Sequence, residues 1–281
     1  MKAFLARRLR FEVLLLISVF FTNLFYLPVV IGSAAPKFRL DGEYGLWVED
    51  KNDSIFVHWL TMKPDSGFLK VLYNDSTIHY QTTRTSYAHS AAFPLEIRDE
   101  IAIKYGGINN KKDRNETRLY LNYEQNRRSV WNDADSIFVV GDVHGRYDRL
   151  TALLQNAKVI DSNLKWQAGT SHFVFLGDIF DRGHDVIKTL WFIYQMEMDA
   201  EKKGGRVHFL LGNHELLVLQ NDLRYTSGKE RLVAQYHNTT YPNLFNMDES
   251  VIGKWMGSKF GILKIDDILF AHGGITPEYA K

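Results

Sequence analysis

The hydrophobic pattern divides the chain into three regions. Residues 13–31 form an uncharged run of 19 residues that is rich in Leu, Phe, Val and Ile. Residues 38–131 alternate apolar and polar positions in short stretches, which is the period of half-buried β-strands. From about residue 133 onward, short apolar runs alternate with polar turns and with segments of helical spacing. The pattern predicts a targeting segment, a small all-β domain and an α/β domain.

Residues 1–34 have the order of an export signal. Basic residues precede the apolar run, namely Lys2, Arg7, Arg8 and Arg10. Positive charge before an apolar run is typical of secretory signals and of first membrane anchors. Small residues at 32–34 suit a signal peptidase, and the run is also just long enough to span a bilayer uncleaved. We expect an exported protein, periplasmic or extracellular, whose residues 13–31 are either removed or anchor it to the inner membrane.

Residues 35–132 are predicted to form a β-sandwich domain. Residues 54–60 and 67–73 are clear examples of its alternating stretches, and a Pro-Asp-Ser-Gly turn separates them. Regularly spaced turns of this kind suit an antiparallel sandwich. The polar residues 132–135 are the best candidate for a linker, so we place the start of the α/β domain at residue 133.

In the α/β domain, residues 133–281, four apolar strand patterns each run directly into a cluster of metal-competent side chains. The clusters are GDVHG at 141–145, GDIFDRG at 177–183, GNHE at 212–215 and HGG at 272–274. Loops at the carboxyl ends of strands converge in one crevice of an open α/β sheet. Side chains that are far apart in the sequence can therefore meet in a single site.

Composition and charge narrow the chemistry of that crevice. The chain has no cysteine, which excludes disulfides, thiolate zinc sites, iron–sulfur clusters and thiol nucleophiles. The 34 Lys and Arg against 33 Asp and Glu argue against dedicated nucleic-acid binding. Carboxylate, amide and imidazole ligands suit Mn, Fe or Zn. Two such ions can share a carboxylate, clamp a phosphate ester and lower the pKa of a bridging water.

The four motifs, in this order, resemble those of the calcineurin-like metallophosphoesterases, in the branch of the Ser/Thr phosphoprotein phosphatases and their bacterial relatives. The resemblance implies a four-layer αββα sandwich and two divalent or trivalent metal ions. It implies that the metal ligands are Asp142, His144, Asp178, Asn213 and His272, with Asp178 bridging the ions. It also implies that Arg182, Asn213 and His214 bind the substrate. His214, oriented by Asp181, would protonate the leaving group, and Arg182 would grip the phosphate.

The predicted β domain adds a second, weaker resemblance. Val57-His58-Trp59 before a Pro-Asp turn, followed by residues 70–73, is similar to the fibronectin type III-like domain that precedes some metallophosphatases.

Phe180 stands where the purple acid phosphatases, as a family, carry a metal-bound tyrosine. We therefore expect no intense visible absorption band from tyrosinate-to-iron charge transfer.

One departure from the family pattern bears on completeness. The pattern continues beyond HGG with another strand pair and a further metal-binding histidine, whereas this sequence ends at Lys281. We expect a C-terminally incomplete sandwich, either in a fragment or in a divergent protein that completes the site by other means.

The expected function is hydrolysis of phosphomonoesters, in a phosphoprotein or a small phosphate ester, by metal-activated hydroxide. The alternatives are a non-catalytic module that binds phosphorylated ligands and a phosphodiesterase on the same scaffold.

Overall fold

The computed structural model describes residues 45–73, 76–94, 100–121, 128–132 and 134–278, together with the backbone of Leu14–Leu16. That short segment forms β1, which pairs in parallel with residues 138–140. The rest of the predicted export segment, residues 1–34, lies outside the described residues. Within the described part of the chain, no helix is long and apolar enough to cross a membrane.

In the described residues between 47 and 120, seven strands form two antiparallel sheets. They are β2 (Trp47–Lys51), β3 (Ser54–Asp65), β4 (Gly67–Tyr73), β5 (Ser76–Gln81), β6 (Ser86–Pro94), β7 (Glu100–Gly107) and β8 (Asn115–Tyr120), with a 3-10 turn at Lys111–Asp113. The sheet orders are β2-β3-β6 and β5-β4-β7-β8. Alternate side chains of β3 and β4 are buried, as the alternating sequence predicts. The Trp59 indole N–H on β3 donates to Gly106 O on β7 at 3.2 Å, so the two sheets pack face to face.

The remaining elements lie between residues 130 and 271. They are β9 (Val130–Trp131), β10 (Ile137–Val140), α1 (Tyr147–Asn156), β11 (His172–Phe175), α2 (Val186–Glu201), β12 (Arg206–Phe209), α3 (Asn213–Leu219), α4 (Gly228–Tyr236), a 3-10 turn at Pro242–Phe245, α5 (Val251–Gly257), β13 (Ile262–Ile265) and β14 (Ile268–Ala271). The strands β10, β11 and β12 pair in parallel, which confirms the predicted alternation of strands and helices.

The last predicted strand differs from the first three in its sheet. The strand β14 pairs antiparallel with β13, and β13 pairs in parallel with β9, so these strands form a second sheet. A second sheet beside the parallel one is what the predicted αββα sandwich requires. Two residues just before the predicted boundary, Val130–Trp131, belong to this second sheet. The domain boundaries themselves stay predictions.

Helix α2 covers an edge of the β-sandwich. The strand β8 is the last strand of its sheet, so its outward backbone groups need partners from elsewhere. The Tyr194 hydroxyl accepts the Tyr120 N–H at 2.7 Å and donates to Tyr120 O at 2.9 Å. The Gln195 side chain bonds the Arg118 N–H and C=O in the same way. One hydrophobic core runs through both parts of the molecule, so the sandwich is packed firmly against the α/β region.

Candidate active site

The loops that follow β10 and β11 carry an unusual backbone. Four residues that are not glycine have a left-handed conformation there: His144, Asp178, Asp181 and Arg182, with φ between 48° and 66°. Such conformations are uncommon outside glycine and cluster at functional sites when the surroundings enforce them. A side chain at Gly183 would place its Cβ 1.9 Å from His144 O. Close packing of the two loops therefore requires glycine at this position.

A buried glutamate supports the second of these loops, the one after β11. The Glu215 carboxylate accepts the backbone N–H groups of Asp178 at 2.8 Å, Ile179 at 2.7 Å and Gly212 at 2.7 Å, and a weaker bond from Phe180 at 3.2 Å. Burial raises the pKa of Glu215, and the bonds from these N–H groups oppose that effect. Glu215 therefore joins the loop after β11 to the start of α3.

Asp178 lies where two groups of candidate metal ligands meet. One group is Asp142, Asp178 and His272, and the other is His144, Asp178 and His214. Within each group the ligand atoms lie within 4.8 Å of one another. Because Asp178 belongs to both groups, it stands where a carboxylate shared by two cations would stand.

The two predicted histidine ligands present the same nitrogen to this centre. His144 Nδ1 lies 2.7 Å from Phe180 O, and His272 Nδ1 lies 3.0 Å from Leu176 O. A neutral ring bonded in this way carries its proton on Nδ1 and offers the Nε2 lone pair to a metal. His144 Nε2 is buried without a hydrogen-bond partner, and burial lowers the pKa of His144. The site therefore fits a cation at this nitrogen.

Asn213 and His272 form the other side of the centre. Asn213 Oδ1 lies 3.0 Å from His272 Nε2, and His272 Nε2 lies 3.4 Å from Asp178 Oδ2. With Nδ1 bonded to a backbone carbonyl, the His272 Nε2 lone pair faces two oxygen atoms. Three lone-pair atoms directed at one another are typical of ligands around a cation.

His214 and Asp181 form a buried pair beside the candidate metal centre. His214 Nδ1 lies 2.7 Å from Asp181 Oδ2, and both side chains are almost fully buried. The Arg182 guanidinium donates to His214 Nε2 at 3.3 Å. Because a guanidinium can only donate, Nε2 accepts in this arrangement and the ring proton is on Nδ1, facing the carboxylate. The backbone N–H of His214 also donates to Asp178 Oδ1 at 3.0 Å, which connects the pair to the candidate metal centre.

All eight residues named from the motifs therefore lie in one place. The set is Asp142, His144, Asp178, Asp181, Arg182, Asn213, His214 and His272. Phe180 packs its ring against Phe245, with ring centroids 4.8 Å apart, and contributes its backbone carbonyl to the site.

Two further residues contact the site and carry no motif. The ring of Tyr225 lies 5.3 Å from that of His214, and 47% of Tyr225 is exposed at the site's edge. Thr226 Oγ1 donates to Asp181 Oδ1 at 2.9 Å. The sequence pattern nearest to these two residues is the pair Ser227 and Glu230, whose spacing is typical of the start of a helix. Ser227 indeed caps α4, but that pattern says nothing about the residues before it.

Comparison with known proteins places the region that carries the site in a family. A sequence model of the calcineurin-like phosphoesterases matches residues 136–280. Shewanella-like protein phosphatase 1 of Plasmodium berghei is 30% identical over 147 residues, 52% of this chain and 40% of that protein. Shewanella-like protein phosphatase 2 of Arabidopsis thaliana is 33% identical over 95 residues, 34% of this chain and 24% of that protein.

A solved structure extends the likeness to the β-sandwich. The crystal structure of a cold-active protein-tyrosine phosphatase from a psychrophilic Shewanella species superposes with a TM-score of 0.64 at 30% identity. The match covers 84% of this chain and 62% of that chain. This chain thus spans less than two thirds of the length of each of these three relatives.

Proposed function

Since this chain belongs to the calcineurin-like phosphoesterase family, we propose that it is a metal-dependent phosphatase that hydrolyses phosphomonoesters of proteins. One observation carries the proposal. Two groups of candidate metal ligands share Asp178, and the Arg182 and His214 side chains meet directly beside it. A cation pair, a phosphate-binding cation and a proton donor are the parts that phosphomonoester hydrolysis requires.

The residues of the metal centre have separate tasks in this proposal. In the division that the family motifs imply, Asp142, His144 and Asp178 would hold one ion, and Asp178, Asn213 and His272 would hold the other. This division leaves His214, which also lies within ligand distance of His144 and Asp178, for proton transfer. Mn, Fe or Zn suits this mixture of oxygen and imidazole ligands. Two ions bound there would neutralise the phosphate and supply a water that is deprotonated near neutral pH.

Arg182 and His214 would act on the phosphate and on the leaving group. Arg182 now donates to His214 Nε2, and a phosphate dianion is a stronger acceptor for the same N–H groups. Once Arg182 turns to the phosphate, His214 Nε2 is free to carry a proton toward the leaving oxygen. Asp181 keeps hold of the opposite ring nitrogen and stabilises the imidazolium that results.

Tyr225 favours a phosphoprotein with an aromatic leaving group. Its ring lies beside His214, where the leaving group departs, and nearly half of it is open to solvent. An aromatic side chain stacks favourably on another aromatic ring. The Shewanella relative of known structure is a protein-tyrosine phosphatase, which agrees with this choice. We therefore propose phosphotyrosine as the substrate residue.

The test compares substrates on the full-length, metal-loaded protein. We expect p-nitrophenyl phosphate and a phosphotyrosine peptide to be hydrolysed, bis-p-nitrophenyl phosphate to be a poor substrate, and elemental analysis to find two metal ions per chain. Asp142→Asn should lower the rate at least about a hundredfold, since it removes a charged ligand. Asp248→Asn, in an exposed turn, is the control that should retain the wild-type rate.

Two results would overturn the proposal in favour of its alternatives. Binding of the phosphopeptide to the metal-loaded chain without turnover would indicate a non-catalytic phospho-ligand module. Preferential hydrolysis of the diester would indicate a phosphodiesterase.

We also propose that the protein is exported, because basic residues precede the apolar run within residues 1–34. A C-terminally tagged chain expressed in a bacterial host should leave the cytosolic fraction. Loss of about 34 residues by mass spectrometry, with β1 among them, would indicate cleavage, and membrane retention at full mass would indicate an anchor. Full-mass protein in the cytosol would contradict export.

A further inference from the structure

The segment between α3 and α4 is hydrogen-bonded to the turn that carries Asp181 and Arg182. Tyr225 O accepts the Arg182 N–H at 2.9 Å, and Thr226 Oγ1 donates to Asp181 Oδ1 at 2.9 Å. Asp181 and Arg182 are both left-handed, with φ of 66° and 61°. Two adjacent residues of one segment therefore hold two adjacent, strained residues of another.

Asp181 depends on few hydrogen bonds. Its side chain is fully buried, so water does not solvate the carboxylate. Oδ2 is bonded to His214 Nδ1, and Oδ1 is bonded to the Thr226 hydroxyl. A buried carboxylate requires donors on its oxygens. Removing the hydroxyl would leave Oδ1 unpaired while Oδ2 keeps its bond to the histidine.

Thr226 is itself well placed to fix a rotamer. It is 4% exposed, and its β-branched side chain has a restricted χ1 angle. The direction of its hydroxyl is therefore set by the backbone, and the hydroxyl in turn sets the rotation of the Asp181 carboxylate. The orientation of the His214 ring follows from that carboxylate, because the bond between them is short at 2.7 Å.

We propose that Thr226 is a positioning residue for proton transfer from His214 to the leaving group. It does not contact the substrate or the metal centre and acts only through Asp181. The inference rests on the proposed phosphatase function. It predicts that the hydroxyl matters when the leaving oxygen needs a proton and matters little when the oxygen leaves readily as an anion.

The experiment measures leaving-group dependence on the full-length, metal-loaded protein. Thr226→Val removes the hydroxyl at nearly constant shape, and Thr226→Ser retains it. With phenyl phosphate, whose leaving group is poor, we expect Thr226→Val to lower kcat by about tenfold, a fraction of the full effect of a general acid. With p-nitrophenyl phosphate we expect the kcat of Thr226→Val to stay within about twofold of the wild-type value, because that leaving group needs little protonation. KM and the metal content should be unchanged, and Thr226→Ser should restore most of the rate.

A double-mutant cycle tests whether Thr226 acts through Asp181. In the Asp181→Asn background, Thr226→Val should have no further effect on phenyl phosphate hydrolysis. Equal loss on both substrates, an additive loss in the cycle, or failure of serine to restore the rate would overturn the inference. If Thr226→Val does not fold, Thr226→Ala gives the same comparison. An inactive wild-type protein would instead overturn the proposed function, so the two failures are distinguishable.

Discussion

The Glu215 carboxylate accepts the backbone N–H of Asp178 at 2.8 Å, directly beneath the candidate bridging ligand. The same carboxylate bonds the N–H groups of Ile179 and Gly212, and Glu215 is fully buried. The glutamate of the GNHE motif is therefore a support for the loops and not one of the ligands. It holds Asp178 in its left-handed conformation, φ 55°, from which the side chain reaches both ligand groups.

Replacing this carboxylate should weaken metal binding. Glu215→Gln keeps the shape of the side chain, but its NH2 group would face backbone N–H donors. We expect metal affinity to fall by about 10- to 100-fold, the usual cost of losing a partner that supports a ligand. Metal titration of the metal-free protein measures the change. Glu116→Gln, an exposed partner of Lys104, is the control, and an affinity equal to that of the control would contradict the supporting role.

The contact between α2 and β8 should contribute measurably to stability. Tyr194→Phe removes one hydroxyl that serves both the N–H and the C=O of Tyr120. We expect a loss of about 1–3 kcal/mol in the free energy of unfolding, because two backbone groups at a covered edge lose their partner. Urea denaturation measures it, with Tyr236→Phe, a partly exposed tyrosine, as the control. Equal stability of the two variants would show that water reaches this edge.

The sequence predicts the site better than it predicts the sheets. Asp142, Asp178 and Asn213 each follow an apolar strand closely, and a strand end is a local feature that periodicity detects. Periodicity shows which side chains are buried but does not show which strands pair. For that reason the strand β14 was predicted, but its pairing with β13 could not be predicted from the sequence.

The contact of Thr226 with Asp181 could not be predicted from the sequence. Its partner Asp181 is 45 residues away, and a single threonine in a loop forms no pattern. The strand β9 was not predicted for a different reason, since Val130–Trp131 is too short to show a period. Both features depend on tertiary contacts, which bring together segments without any local signal.

The exposed ring of Tyr225 should select aromatic substrates. Tyr225→Leu keeps an apolar side chain but removes the aromatic face beside His214. We expect KM for aryl phosphates to rise about three- to tenfold, the value of one aromatic contact, while KM for alkyl phosphates changes little. Steady-state kinetics with a phosphotyrosine peptide and a phosphoserine peptide measure the ratio of the two KM values in each variant. An equal rise in KM for both peptides would assign Tyr225 a general role in site shape.

Glu230 should make the folded protein less stable at alkaline pH. It lies at the start of α4, accepts the Val186 N–H at 2.9 Å, and is buried, which raises its pKa to about 8. The folded protein therefore retains a proton that the unfolded chain, with a glutamate pKa of 4.5, has lost. Because the folded state binds more protons between these values, stability should fall as the pH rises through this interval.

At the upper end of that interval, the effect of Glu230 on stability can be measured separately from the effect of the histidines. Burial lowers the pKa of His208 to about 3 and of His237 to about 4, so above about pH 7 they are neutral in the folded protein and mostly neutral in the unfolded chain. Glu230→Gln keeps an oxygen for the Val186 N–H and removes the titrating group. The decline in the free energy of unfolding between about pH 7 and pH 8.5 should flatten in this variant and persist in Glu116→Gln. A decline of the same slope in both variants would show that the carboxylate at 230 is already ionised in the folded protein at pH 7.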